Sequence, residues 1–180
     1  MKIIETHLNG LLIIEPKVFK DERGYFYESY NQEKFFSAGI NDIFVQDNQS
    51  LSQKNVVRGL HFQHPPYAQA KLVRVIKGAV YDVVVDIRKD SPTYGQCFGM
   101  ELTENNFLML YIPIGFAHGF ATLEDNTIFA YKCSAFYNKA SEDTILWNDP
   151  TLNIDWKVQN PILSEKDKQG KLFEHFQSPF

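Results

Sequence analysis

The sequence predicts an all-β chain folded as a jelly-roll barrel or sandwich with short peripheral helices. Three observations carry this reading. Short runs rich in β-branched and aromatic residues recur at close spacing from Ile43 to Tyr137, the pattern of many short strands. Aromatics make up 14% of the chain, with 15 Phe and 9 Tyr, and such side chains favour pleated surfaces over helices. Only one segment in the first two-thirds carries helix start and stop signals together.

Taken in order, Gly10–Phe19 reads as a strand that ends in the polar turn Lys20–Gly24, and Tyr25–Tyr30 reads as the next. Asn31 is an N-cap, followed by Glu33, the apolar pair Phe35 and Phe36, and Gly39 as a stop. The further strands expected are Ile43–Gln46, Val56–Phe62, Lys71–Ile76, Ala79–Ile87, Phe107–Pro113, Gly119–Leu123 and Thr127–Tyr137. Lys77-Gly78 falls between two of them, where glycine suits a tight hairpin. In Val80–Asp86 one pleat face takes Val80, Asp82, Val84 and Asp86, and the other takes Tyr81, Val83 and Val85. One wholly apolar face and one mixed face suit a barrel wall with a partly polar inside. The tail from Thr151 is more polar and is expected to form loops and a short helix around Lys166–His175.

At 180 residues the chain fits one domain, residues 1–180, with a sizeable core. A net charge of −4 argues against a nucleic-acid partner, which would call for a basic surplus. It leaves room for a local basic site that takes one diphosphate. No secretory leader or membrane span is expected, since the apolar runs are only about four residues long. Cys97 and Cys133 match no metal or redox spacing and read as small apolar strand residues. A reducing, cytoplasmic setting follows as the default.

The densest chemistry lies in Arg58-Gly-Leu-His-Phe-Gln-His64-Pro-Pro. Strict alternation puts Arg58 with Val56, Leu60 and Phe62, and His61 with Val57 and Gly59. A bend at Gly59 or near Pro65 would bring both polar heads to one mouth. His61 exchanges protons near neutral pH and is the natural general base, although a strand histidine can also be purely structural. His64, beside two prolines, reads as a loop residue. His61 and His64 form His-x-x-His, whose side chains point to opposite faces of a strand, so one metal ion does not suit both. Where a metal site would want a carboxylate, the chain offers Tyr67, Gln69 and Lys71. Lys71 is either a solvated edge charge or a cation for an enolate oxygen. Either Tyr131 or Tyr137 suits a proton donor. Pro113-Ile-Gly-Phe-Ala-His118 matches the Pro-x-Gly-x-x-His turn of the second cupin motif. Dinucleotide, P-loop and nucleophile-elbow signatures are absent.

Several strings together resemble the dTDP-4-dehydrorhamnose 3,5-epimerase family. They are Asp47-Asn-Gln-Ser50, Val57–Gln63, Gln69–Val75, Gly78–Arg88, Ser91-Pro-Thr-Tyr-Gly95, Tyr111–Phe120, Asn148-Asp-Pro150 and Leu163-Ser-Glu-Lys-Asp167. They run in family order from roughly Gly10 to Asp167. The resemblance implies a dimeric cupin-type double-stranded β-helix that uses no metal or organic cofactor. It implies a dTDP-linked 4-keto-6-deoxy sugar as substrate, dTDP-4-dehydro-6-deoxy-D-glucose, inverted at C3 and C5. By motif position His61 is the base, Asp167 orients it, Tyr131 delivers the proton from the opposite face, and Lys71 holds the C4 oxygen. Arg23, Glu28, Gln46, Asn48, Arg58, His118, Tyr137, Glu142 and Lys166 fall among the substrate contacts. Phe26 falls where a ring stacks on thymine, reaching across from the partner subunit.

Two departures from the family pattern stand out. Cys97 replaces a common tryptophan. Ile154–Pro161 lacks the usual Trp-Pro and carries a small insertion before Leu163, which bears on how Asp167 approaches His61. Three other readings remain: an epimerase of one carbon only, a metal-dependent cupin oxygenase or isomerase, and a non-catalytic sugar-nucleotide binding module.

Overall fold

The computed structural model describes residues 1–180 and begins with two paired strands, β1 (Lys2–Glu5) and β2 (Leu12–Glu15). The run expected as one strand from Gly10 to Phe19 breaks at Pro16, which has no N–H to give a ladder. It resumes as β3 (Phe19–Asp21), which pairs only with β4 (Gly24–Phe26) in a separate exposed ribbon. The strand expected to reach Tyr30 therefore stops at Phe26. Helix α1 (Gln32–Ser37) forms where expected, with the Asn31 side chain accepting from Lys34 N at 3.2 Å.

The next strand lies later than expected. Ile43 and Val45 are exposed loop residues, and β5 is the polar stretch Gln46–Ser52. Strands β6 (Val57–Gln63), β7 (Lys71–Lys77) and β8 (Ala79–Asp86) follow the expected segments closely. Strand β9 (Cys97–Thr103) has no counterpart in the sequence reading. Then come β10 (Met109–Ile112), β11 (Phe116–Thr122), β12 (Thr127–Cys133) and the short β13 (Glu142–Thr144), the last also unforeseen. Strand β12 ends at Cys133, not Tyr137. The helix expected over Lys166–His175 is two pieces, α2 (Glu165–Lys168) and a 3-10 turn at Phe173–His175. Between them Gly170 lies so close to Leu146 that a Cβ would come within 2.6 Å of its backbone nitrogen.

All sheet pairings are antiparallel. One sheet runs β1-β2-β10-β7-β12-β5 and the other β13-β6-β11-β8-β9. Gly78 does not close a hairpin within one sheet, as the sequence suggested. It carries the chain from β7 in the first sheet to β8 in the second. With φ at +79° and a would-be Cβ 2.5 Å from Thr127 Oγ1, that corner admits only glycine.

The main core fills the space between the sheets: Val73, Val75, Leu110 and Phe129 on one side meet Val80, Val84, Leu102, Phe116 and Phe120 on the other. Asp82 shares the inward face of β8 with Val80 and Val84, while Val83 and Val85 pack outward. The mixed face therefore turns inward, as a polar-lined barrel requires. The outer face of the second sheet is covered by the C-terminal tail through Ile145, Leu152, Trp156 and Phe176. Phe35 and Ile40, in and just after α1, cover the first sheet at Ile14, Leu72 and Met109. No helix is long and apolar enough to cross a membrane.

Candidate active site

Alternation along β6 is interrupted, and the interruption builds the site. Val57, Leu60 and Phe62 all pack outward in the tail-covered core, while Arg58 and His61 line one inward cavity. Two polar side chains three positions apart share a face only because the strand changes phase at Gly59, where pairing with β11 slips between His118 and Phe120. Gly59 has φ of +139°, and a Cβ there would lie 2.5 Å from Gly119 Cα. A side chain at either glycine would push the two strands apart.

The cavity holds about 250 Å³ and is lined by Arg58, His61, Lys71, His118, Tyr131 and Glu142, with Gln49, Ser50, Phe120 and Phe129 completing the wall. Each sheet contributes. Strand β7 turns Lys71 inward beside Val73 and Val75, β12 turns Tyr131 inward beside Phe129, and β11 offers His118.

His61 Nε2 lies 2.6 Å from Asp167 Oδ1. Asp167 also accepts Ser164 Oγ at 2.5 Å and Gly59 N at 3.3 Å, and its side chain is only 4% exposed. Burial would raise this carboxyl, but the hydrogen bonds from His61, Ser164 and Gly59 outweigh it and hold Asp167 below the usual carboxylate range. Burial pushes the His61 imidazole down, helped by the charges of Lys166 and Lys71 and opposed by Asp167. At neutral pH the ring is therefore neutral, with Nε2–H donated to the carboxylate and Nδ1 left as the free lone pair. The segment Ile154–Pro161 does not displace this contact. Its Trp156 is buried and donates to Trp147 O at 2.7 Å.

No carboxylate lies within ion-pair distance of Lys71. Burial lowers its pKa, while Cys133, Asp82 and Glu142 counter part of that effect. The Tyr131 phenol is pushed up by burial first and by nearby negative groups second, so it keeps its proton. The Lys71 ammonium stands 6.0 Å from the centroid of the Tyr131 ring. His118 Nε2 meets both oxygens of Asp82, at 3.0 and 2.9 Å, in the buried interior.

Other expected contacts gather at the mouth. Lys166 Nζ pairs with Glu142 Oε1, and Tyr137 Oη donates to Glu142 Oε2 at 3.0 Å. Gln46 Nε2 donates to Asn48 Oδ1 at 3.0 Å, and Gln46 Oε1 accepts Tyr137 N at 2.9 Å. Arg58 Nε and Nη2 donate to Ser52 Oγ at 3.2 and 3.1 Å, with no carboxylate partner. His64 turns to Asp143 at 3.0 Å, away from His61. Arg23, Phe26 and Glu28 are not brought to this cavity within one chain. Arg23 pairs with Asp21 and Glu28 with Lys34, while Phe26 stands 68% exposed on the β3–β4 ribbon.

Sequence reasoning missed Ser164, Ser52, Gln49, Ser50 and Asp82 as parts of the site. Ser164 and Asp167 carry the Ser-x-x-acid spacing of a capped helix start, which was a readable signal. Asp167 N donates to Ser164 Oγ at 3.2 Å, as that motif predicts.

A free imidazole lone pair, an ammonium group without a counter-ion and a protonated phenol around one cavity suit proton removal and return at carbon. On a jelly roll, that combination defines an acid–base isomerase of the cupin class. The family model for dTDP-4-dehydrorhamnose 3,5-epimerase matches residues 5–175, and the chain belongs to that family. The dTDP-4-dehydrorhamnose 3,5-epimerase of Shigella flexneri is 55% identical over 174 residues, 96% of each chain. The crystal structure of the Elizabethkingia anophelis epimerase superposes with a TM-score of 0.92 at 52% identity, covering 97% of both chains. The Legionella pneumophila 3,5-epimerase, in complex with dTDP-4-keto-L-rhamnose, gives 0.94 at 48% identity over 98% of this chain and 94% of that one.

Proposed function

We propose that this chain inverts C3 and C5 of dTDP-4-dehydro-6-deoxy-D-glucose to give dTDP-4-dehydro-L-rhamnose, a cytoplasmic step of dTDP-L-rhamnose biosynthesis. The observation that carries it is the 2.6 Å contact of His61 with Asp167 beside the unpaired Lys71 and the phenol of Tyr131. The relatives support the same reading, and the ligand of the Legionella structure corresponds to the product.

Both target carbons flank one ketone. His61 Nδ1 takes the proton from the first carbon, and the C–H electron pair moves into the enolate, leaving charge on the C4 oxygen. Lys71 stabilises that oxygen, and a well-placed donor of this kind contributes about 3–4 kcal/mol. Tyr131 returns a proton to the opposite face and regains one from solvent, while His61 releases its own through the cavity mouth. The same three groups serve the second carbon once the ring has turned. Asp167 stabilises the imidazolium formed midway.

Arg58 takes the diphosphate, and Gln46, Asn48, His118, Tyr137, Glu142 and Lys166 surround nucleotide and sugar. Arg23, Phe26 and Glu28 complete the site of a second subunit in a homodimer, with Phe26 stacked on thymine. The exposure of Arg23 and Phe26 on a ribbon outside both sheets, with Glu28 exposed just beyond it, supports this arrangement.

Incubation of the purified enzyme with the ketosugar in deuterated water tests the reading. Deuterium at both C3 and C5 is the expected result. Label at one carbon would make this a single-carbon epimerase, and label at neither would end the proposal.

A further inference from the structure

We propose that Ser50 is a specificity-determining residue whose hydroxyl hydrogen-bonds the hexose of the substrate, a role that rests on the sugar-nucleotide reading of the cavity. Strand β5 presents Gln46, Asn48, Ser50 and Ser52 on its inward face. Three of the four are engaged: Gln46 with Tyr137 N, Asn48 with Gln46 and with Cys133 Sγ, and Ser52 with Arg58. Ser50 Oγ is buried and has no partner, and Ser50 is one of the residues lining the cavity that holds His61, Lys71 and Tyr131. Thr144 Oγ1 is the only other buried side-chain oxygen or nitrogen left unpaired, and Thr144 does not line that cavity.

An unpaired hydroxyl against the cavity wall is costly in the free protein and is offset when a ligand supplies the missing partner. Register decides which part of the ligand that is. Ser50 lies opposite Phe129, two residues from the pair formed by Asn48 and Tyr131. It therefore sits on the wall of the reacting groups, between Asn48 beside Tyr131 and Ser52 beside Arg58, which places it against the sugar that joins the reacting centre to the diphosphate. A hexose offers hydroxyl and carbonyl oxygens to which serine can donate or from which it can accept.

Calorimetry with dTDP and with dTDP-D-glucose, on the wild type and Ser50→Ala, separates the sugar from the nucleotide. The expected result is dTDP affinity unchanged within about twofold and dTDP-D-glucose binding weakened about 3–10-fold. The melting temperature of unliganded Ser50→Ala should be unchanged or higher, because an unpaired polar group has been removed. Equal weakening of both ligands, no weakening of dTDP-D-glucose, or a lower melting temperature would each overturn the role. Selective loss of dTDP-D-glucose binding in a protein that exchanges no sugar-carbon protons would sink the epimerase reading and leave Ser50 in place.

Discussion

Two histidine–aspartate pairs face the same cavity, and His61 and His118 are direct partners across β6 and β11. The pair types are identical, yet their settings differ. Asp167 comes from the C-terminal tail and takes two further hydrogen bonds, from Ser164 and Gly59, which keep it ionised. Asp82 lies in the barrel interior with only His118 to bond it, and burial pushes its carboxyl up. The His61 side chain is 27% exposed toward the cavity, against 8% for His118. A general base needs access and an ionised partner; the first pair has both, while His118 presents little surface to the cavity it lines. Chemistry here follows from what surrounds each pair.

The sharpest way to break that comparison is to delete both rings in turn. His61→Ala should lower kcat by about 10³-fold or more, the range of a lost general base, while dTDP affinity stays close to normal. His118→Ala should act mainly on KM. If the two variants lost turnover equally, the distinction would be wrong.

Tyr131→Phe should cost about 10²–10⁴-fold in kcat with little change in KM, since only the returning proton is lost. Retention of full double inversion would move the donor role to Tyr137 or to water. Exchanging the partner carboxylates comes next. Asp167→Asn should reduce kcat about 10²-fold and alter its acid limb, whereas Asp82→Asn should leave that limb in place and show itself as a lower melting temperature.

The pH profile offers the gentlest probe. His61 must be neutral to act, and its pKa is depressed, so kcat/KM should fall only as pH drops below the ordinary 6.5 of imidazole. Lys71 must be charged, and its pKa is also depressed, so the alkaline limb should begin below the ordinary 10.5 of lysine. Tyr131, pushed above 10, stays protonated through that range. An acid limb above 6.5 would contradict the burial of His61.

Much of the barrel was legible because its inner strands carry apolar alternation, as in Lys71–Lys77 and Ala79–Asp86. Strand β5 escaped for a physical reason. Its more buried residues Gln46, Asn48, Ser50 and Ser52 are all polar, and Ser50 lines the cavity, so the period-two pattern is there but written in polar residues. Strands β9 and β13 escaped because one is half-exposed and the other has only three residues. His61 could be named as a base from residue type, whereas Lys71 and the choice of Tyr131 over Tyr137 came from the family resemblance. Their convergence could not be read, because it depends on the phase change at Gly59 and on which sheet each strand joins. Arg58 and His61 share a wall only through that irregularity.

The carboxylate that completes the base lies beyond the last strand, in a tail laid over the outside of the second sheet. In the chain Asp167 follows every cavity-lining residue, Glu142 being the last of them. A chain truncated before Asp167 would carry every cavity-lining residue and lack the carboxylate that His61 meets.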